Sequence, residues 1–482
     1  MERTHSLCKD VIVTHVIWDS ASWAKETFES CELGDVRRNQ RLVKLAEQMA
    51  ARPASSIPDQ TETWGDCKAA YRFFDTEDVT FYNIIQPHCR MTRESSLPGD
   101  TKLIICDTTE LDYSSLQQTK GLRPIGNGHG RGFFLHSALM IDAGSSRIEG
   151  LAGQEIFYRP AKKIAKNQRH ARRRDANRES AVWGRLIDQV GRPPANVKWV
   201  HLCDRAADDV EVMWKAVGNG CGFVIRASRL NRNVKALDGT LSPLHTFLQT
   251  LSDRGHREIS VRATKKMRAR TADVTMRYGT VDLPLPRILS PWLKRNRPSM
   301  PMRLGVVELV ETNPPKGCEA LHWVLYSESP IASQRQAEEV IWRYEQRPTI
   351  EDFHKALKTG CGVEDRQLQT ADRLERIVAL CSVVAVRLMQ LKTAARETPD
   401  RPAKELVPAR WIQLLLIARK RPFDTQLTIR DFVRQLAGLG GFLLRRHDGE
   451  PGWITLWRGF EKLQLMIRGA DAEKRRNRTE VK

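Results

Sequence analysis

Two short apolar runs in this chain each lead into an aspartate. The segments KLIICD and VKWVHLCD have the length and branched residues of buried strands, and they end at Asp107 and Asp204. From residue 101 to residue 228 the predicted order is strand, hairpin, helix, strand, helix and strand. This is an α/β order. In such a fold, acidic residues at strand ends lie together and form a site.

A third acidic residue, Glu351, lies in the helical segment YEQRPTIEDFHKALK beside Tyr344, Arg347 and Lys358. One aspartate after a strand is weak evidence of a site, because turns favour Asp. Two such aspartates and a helical glutamate flanked by cations are more specific. Their oxygens are hard ligands that suit Mg²⁺ or Mn²⁺, and two such ions about 4 Å apart can clamp a phosphodiester. We therefore predict a two-metal site in which neighbouring cations hold phosphates.

The spacing of these helical residues carries one internal conflict. Steps of three, four and seven put Tyr344, Arg347, Glu351 and Lys358 near one helix face. Pro348 removes a helical hydrogen bond and disfavours helical angles at the residue before it. Either the helix kinks there or Pro348 begins a new helix.

The charge of the chain indicates its partner. Its 78 Lys and Arg residues against 58 Asp and Glu give a formal charge of +20, which favours a polyanion because each neutralised phosphate releases counterions. We expect no membrane partner, since the longest apolar run, at 377–386, is too short to span a bilayer and reads as a buried helix. The ten cysteines lack zinc-ligand spacing, and a reducing cytoplasm is the simplest compartment.

Basic residues also line predicted helices near the N-terminus. A helix that begins after Gly34-Asp35 and ends before Pro53 carries Arg37 and Arg41, and the helix WGDCKAAYRFFD carries Arg72. These cations either form a solvated surface or contact DNA. The same two alternatives hold for the basic run at 159–178.

Composition and pattern divide the chain into five segments. These are an N-terminal helical domain at 1–95, the first part of an α/β core at 96–228, a β-rich insertion at 229–326, a final core helix at 327–372 and a C-terminal helical domain at 373–482.

Several motifs in these segments resemble one known family. They include LGDVRRNQRLVKLAEQ, AAYRFF, CDTTELDY, CDRAAD, FVIRAS and GWITLWRGFEKL, together with the Tyr-x2-Arg-x3-Glu-x6-Lys spacing. The chain is similar to the bacterial insertion-sequence-four family of DDE transposases, whose best-known member is the transposase of transposon five. The resemblance covers most of the length, with a loose match in the insertion and at 390–445.

This resemblance implies a fold, a site and partners. The core would be RNase H-like, and Asp107, Asp204 and Glu351 would be the DDE ligands of two Mg²⁺ or Mn²⁺ ions per active site. The N-terminal domain would bind DNA, and the C-terminal helices would form a homodimer in the DNA complex, at the nucleoid in the bacterial cytoplasm. The implied DNA contacts in the core are Tyr344, Arg347, Lys358, Arg226 and Trp323, the last beside a flipped base unless it serves only strand packing.

The resemblance also implies a reaction. The enzyme would be a cut-and-paste transposase that hydrolyses DNA at transposon ends, forms a hairpin, and transfers the freed 3′-OH into target DNA. One alternative is a catalytically inactive, transposase-derived DNA-binding protein, against which the intact acidic triad argues. Another is a metal-dependent host nuclease without preference for terminal repeats.

Overall fold

The computed structural model describes residues 19–159, 171, 175, 178–262, 269–445 and 447–480. Most of the predicted basic run at 159–178, and residues 1–18 of the predicted N-terminal domain, lie outside these ranges.

The N-terminal region is helical, as predicted. The side chain of Asp35 caps the second helix by accepting a hydrogen bond from the backbone N–H of Arg37. The helices are α1 (Ser20–Phe28), α2 (Val36–Ala51), α3 (Ile57–Gln60), α4 (Trp64–Asp75) and α5 (Phe81–Glu94).

The centre of the fold is a sheet covered on both faces. Strand β1 pairs antiparallel with β3 and parallel with β5, and β5 pairs parallel with β6. Leu103 and Ile105 of β1 pack into one apolar cluster, whereas Ile104 and Cys106 pack into another, because successive side chains of a strand point to opposite faces. The elements are β1 (Thr101–Asp112), β2 (Arg123–Ile125), β3 (Gly130–Asp142), β4 (Ile148–Phe157), α6 (Val182–Val190), β5 (Lys198–Cys203), α7 (Val210–Gly218) and β6 (Gly222–Arg226).

The predicted insertion is rich in strands, but it continues the central sheet. Strand β12 pairs antiparallel with β6, which places Leu325 opposite Arg226. All twelve strands of the described residues therefore form one sheet. The insertion contains β7 (Asn233–Ala236), β8 (Leu241–Pro243), α8 (Leu244–Gln249), β9 (His256–Val261), β10 (Arg270–Leu283), α9 (Pro291–Arg295), β11 (Met302–Glu311) and β12 (His322–Ser327).

The segment with the Tyr-Arg-Glu-Lys spacing is two helices, not one. Ser333 and Gln336 form a capping box at the start of α10 (Gln334–Glu345). The helix ends at Glu345, and Pro348 stands at the N-cap of α11 (Thr349–Lys355). Of the two alternatives raised by Pro348, the start of a new helix is confirmed. A π-helical turn over Ala356–Gly360 follows and carries Lys358.

Helices also form the C-terminal region, as predicted. They are α12 (Ala371–Glu397), α13 (Ala409–Ala418), α14 (Ile429–Leu439) and α15 (Trp453–Glu480). Ala371–Ala394 is the one described helix long and apolar enough to cross a membrane, but 83% of its most apolar window is buried within the protein. Such burial is typical of a core helix. The molecule is thus a mixed α/β protein in which the central sheet follows an N-terminal helical region in the sequence and precedes a C-terminal one. Both helical regions pack into the same apolar cluster.

Candidate active site

The three predicted acidic residues meet at one guanidinium group. Arg347 Nη2 lies 3.2 Å from Oδ1 of Asp107 and 3.6 Å from Oδ2 of Asp204, and Arg347 Nη1 lies 3.0 Å from Oε1 of Glu351. Residues remote in the chain therefore present their carboxylates to a common point. The side chain of Arg347 is only 18% exposed, so this point is largely shielded from solvent.

Sheet pairing explains the positions of the two aspartates. Asp107 is not at the end of its strand, as the sequence suggested, because β1 continues to Asp112 alongside β3. The parallel pairing of β1 with β5 nevertheless stops at Ile105. Asp204 directly follows β5 and accepts a hydrogen bond from the N–H of Ala206 at 2.7 Å. Both aspartates thus lie just beyond the paired section of two neighbouring parallel strands.

The donor set of this site fits a divalent cation. Three carboxylates supply the hard oxygen ligands that Mg²⁺ and Mn²⁺ prefer. Within the described part of the chain, no three Asp, Glu, His or Cys side chains lie close enough to hold an ion as they stand. The guanidinium of Arg347 stands between the three carboxylates and keeps their oxygens apart. The same oxygens could close on a smaller ion if Arg347 moved away.

Burial and mutual repulsion make Asp107 an unusual acid. Burial raises the pKa of its carboxyl group to about 6; Arg347 opposes the rise, while Asp204 and Glu351 add to it. Burial would lower the pKa of Arg347, but Asp107, Tyr344 and the other two acids more than offset this effect and raise it. The guanidinium is therefore charged, and it holds three acids together against their repulsion.

Two histidines that sequence reasoning missed border the triad. His354 Nδ1 lies 4.0 Å from Oδ2 of Asp107, and burial lowers the pKa of this histidine to about 3. His136 is also buried, and its Nδ1 lies 2.7 Å from the hydroxyl of Thr108. The position of His354, three residues after Glu351 on a helix, is the signal that would have found it.

Some of the predicted DNA contacts lie beside the triad. Tyr344 is buried, and its ring packs edge-to-face on Trp323 with centroids 5.0 Å apart. Arg226 donates a hydrogen bond to the carbonyl of His322 at 2.7 Å, and burial foremost lowers its pKa, helped by the charges of Arg205 and Arg347. Arg205 is an exposed cation that sequence reasoning missed, although it directly follows Asp204.

The other predicted contacts do not touch the three carboxylates in the described residues. Lys358 pairs with Glu364 at 2.9 Å. In the N-terminal helices, Arg41 pairs with Asp66 at 2.9 Å. Arg37 pairs with its own N-cap residue and is exposed, and Arg72 is exposed with no carboxylate partner in the part of the chain that the structure describes.

Asp208, four residues after Asp204, is buried. It is 2% exposed and accepts hydrogen bonds from the backbone N–H groups of Ser228 and Arg229 at 2.8 and 3.0 Å. It also pairs with Arg232 at 2.5 Å. These contacts fix the segment after β6 and account for its burial.

Comparison with known families matches both helical regions. Residues 20–79, which include α1 to α4, match the family model described as transposase DNA-binding. Residues 383–480, from the second half of α12 through α15, match the model described as transposase Tn5 dimerisation domain.

Proposed function

We propose that this Tn5-like transposase is a cut-and-paste enzyme whose RNase H-like core carries a DDE active site. The strand pairing supports such a core, because an antiparallel hairpin, β3 and β4, adjoins three parallel strands, β1, β5 and β6. We assign the chemistry to the central sheet, which lies between the two matched helical domains in the sequence.

One observation carries the proposal: Asp107, Asp204 and Glu351 converge on a single cation that is only 18% exposed. Asp107 is largely buried and is costly to keep charged beside two further acids, and an acid whose pKa is raised in such a cluster is typical of a functional site. Two Mg²⁺ or Mn²⁺ ions held by these residues would activate water and stabilise the leaving oxygen.

The chain's own residues then have separate tasks. Arg226, Tyr344 and Arg347 would hold phosphates of the transposon end beside the triad, since they already cluster there. Lys358 would join them after exchanging Glu364 for a phosphate. Trp323 is only partly buried and would stack on a displaced base, which offsets part of the cost of unstacking.

The proposed reaction uses this site repeatedly. Hydrolysis frees a 3′-OH at the transposon end, this hydroxyl attacks the opposite strand to form a hairpin, and a second hydrolysis opens it. The 3′-OH finally attacks target DNA. Each step exchanges one oxygen for another at phosphorus, so one set of positioned carboxylates and phosphate contacts serves all of them.

The matched helical domains support the proposed partners. The N-terminal domain would bind the terminal repeats, and the C-terminal helices would pair two protomers so that both transposon ends are cut together. We propose that the assembly works at the nucleoid in the bacterial cytoplasm, where its DNA substrates lie.

A nicking assay tests this function. The full-length protein is incubated with duplex DNA that carries the element's terminal repeat, with and without Mg²⁺. We expect nicking at the repeat boundary that requires Mg²⁺ and leaves a 3′-OH. Binding without nicking would instead indicate an inactive DNA-binding relative, and cleavage without preference for the repeat would indicate a general nuclease.

A further inference from the structure

We propose that Arg347 occupies the cation position of the triad in the DNA-free protein and must leave before a divalent ion binds. The arriving transposon end would draw the guanidinium onto a phosphate and so open the metal site. This inference rests on the proposed function, because it assumes that the triad is a metal site. It adds a role for Arg347: the residue makes metal binding conditional on DNA.

Arg347 contacts the three carboxylates as a bound metal ion would, with one positive group facing all of them. Its two terminal nitrogens reach carboxylate oxygens of all three acids at 3.0 to 3.6 Å. A guanidinium is planar, permanently charged and rich in donors, so it can serve several carboxylates at once. A divalent ion needs the same oxygens at about 2.0 to 2.2 Å, a shell that excludes the guanidinium. The two cations therefore compete for one place.

The backbone around Arg347 suits a side chain with two positions. The residue lies in the break between α10 and α11, between Gln346 and Pro348, and not within a continuous helix. Its Nε has no hydrogen-bond partner in the described residues, so only the far end of the side chain is held. Rotation about the side-chain bonds can then release the carboxylates without unfolding a helix.

A DNA phosphate is a suitable acceptor for the released group. Arginine can bind a phosphate through two parallel hydrogen bonds, just as it binds a carboxylate. Arg226 lies near both Arg205 and Arg347, because the charges of these two arginines help to lower its pKa. Arg226 and Arg205 would attract the backbone of the transposon end toward Arg347.

The exchange implies a thermodynamic coupling. If DNA removes a competitor from the triad, DNA binding raises the affinity for the metal. By linkage, the metal then raises the affinity for DNA by the same factor. Without Arg347 the competitor is absent, so this coupling should largely vanish.

Mn²⁺ binding measured by electron paramagnetic resonance tests the inference with a readout that does not depend on turnover. The free ion is titrated with the full-length protein at pH 8, in the presence and absence of terminal-repeat duplex. For the native protein we expect DNA to tighten Mn²⁺ binding by about tenfold, a usual size for coupling between sites. Arg347→Gln should bind Mn²⁺ about tenfold more tightly than the native protein without DNA, and DNA should add little.

Two further variants separate the specific effect from general ones. Lys355→Gln removes an exposed positive charge from α11 and should leave Mn²⁺ affinity near that of the native protein. Arg347→Lys keeps a charge but cannot reach three acids as a fork does, and it should fall between the native protein and Arg347→Gln. A rise of the melting temperature with Mn²⁺, larger for Arg347→Gln than for the native protein, would show that the variant is folded and binds the ion.

The outcomes distinguish this inference from the proposed function. If the native protein and Arg347→Gln bind Mn²⁺ equally tightly without DNA, and Asp107→Asn abolishes that binding, the triad is a metal site but Arg347 does not guard it. If no form binds Mn²⁺ even with DNA present, the proposed function and this inference both fail.

Discussion

The rings of Trp323 and Tyr344 meet edge to face, with centroids 5.0 Å apart and an angle of 77° between their planes. This contact joins β12 of the insertion to the last turn of α10, and so connects the insertion with the segment that carries Arg347 and Glu351. Aromatic pairs of this geometry contribute about 0.5 to 1.5 kcal/mol beyond their buried area. Trp323 therefore has a packing role, whether or not it also meets DNA.

Substitution of Trp323 separates packing from base stacking. We expect Trp323→Ala to accumulate DNA nicked on one strand, because the proposed hairpin step displaces a base on which Trp323 would stack. Trp323→Phe should restore much of that step. The ratio of nicked to fully cleaved DNA on a denaturing gel measures the effect. Trp292→Ala, in α9, is the control for loss of a tryptophan, and equal slowing of both strands by Trp323→Ala would favour a packing role alone.

The buried charge of Asp107 should lower the free energy of unfolding at pH 8. Its pKa is raised from 3.8 to about 6, so the folded state binds this proton more tightly than the unfolded chain. The protonated carboxyl group contributes this stability below pH 4, and the contribution is lost as the pH rises through 6. At pH 8 the free energy of unfolding is lower by about 3 kcal/mol as a result. Asp107→Asn cannot ionise.

We therefore expect Asp107→Asn to raise the metal-free free energy of unfolding by up to about 3 kcal/mol at pH 8, with little gain at pH 4. Urea denaturation at the two pH values checks this expectation. Asp112→Asn, at the exposed end of β1, should show no comparable pH-dependent gain. A destabilised Asp107→Asn at pH 8 would mean that the ion pair with Arg347 outweighs the cost of burying the charge.

Two arginines connect the N-terminal helices to the rest of the chain in different ways. Arg366 is 4% exposed and donates hydrogen bonds to the carbonyl groups of Pro53, Ser55 and Cys361. Arg373 instead pairs with Asp75 at the surface. Arg366→Ala leaves buried carbonyl groups unpaired and should cost about 3 kcal/mol, whereas Arg373→Ala should cost less than about 1 kcal/mol. Chemical denaturation measures both, and equal costs would contradict this account.

Salt dependence distinguishes paired from unpaired cations in the DNA-binding domain. Arg72 has no carboxylate partner among the described residues, whereas Arg41 is held by Asp66 at 2.9 Å. If Arg72 contacts a phosphate, Arg72→Gln should reduce the slope of log K against log salt by about 0.9. Arg41→Gln should change it less, because its charge is already neutralised. Binding of terminal-repeat DNA at several salt concentrations tests this, and an unchanged slope for Arg72→Gln would remove that residue from the interface.

The local patterns of the sequence predicted most elements because each has a local cause. The start of α2 follows from the side-chain cap of Asp35, and the strands around Asp107 and Asp204 follow from their apolar runs. The convergence of two strand aspartates and a helical glutamate was also predictable, since parallel strands that end together bring their following residues together.

The rest depended on contacts that no local pattern encodes. The pairing of β12 with β6, which makes the insertion part of the central sheet, is a long-range choice between many apolar strands. The burial of Asp208 depends on Arg232 and on backbone donors twenty residues away. Pro348 left two backbone paths open, and only tertiary packing decided that Arg347 would face the acids.

Glu351→Gln provides the most direct test that the triad is the catalytic centre. The variant keeps the size of the side chain and removes its negative charge, while Glu338→Gln, an exposed change on α10, serves as its control. Nicking of terminal-repeat DNA in Mg²⁺ and binding of the same DNA are measured in parallel. We predict that Glu351→Gln loses nicking by about 10⁴-fold, as members of catalytic units do, and retains DNA affinity. Nicking at the native rate, or loss of nicking and binding together, would contradict the assignment.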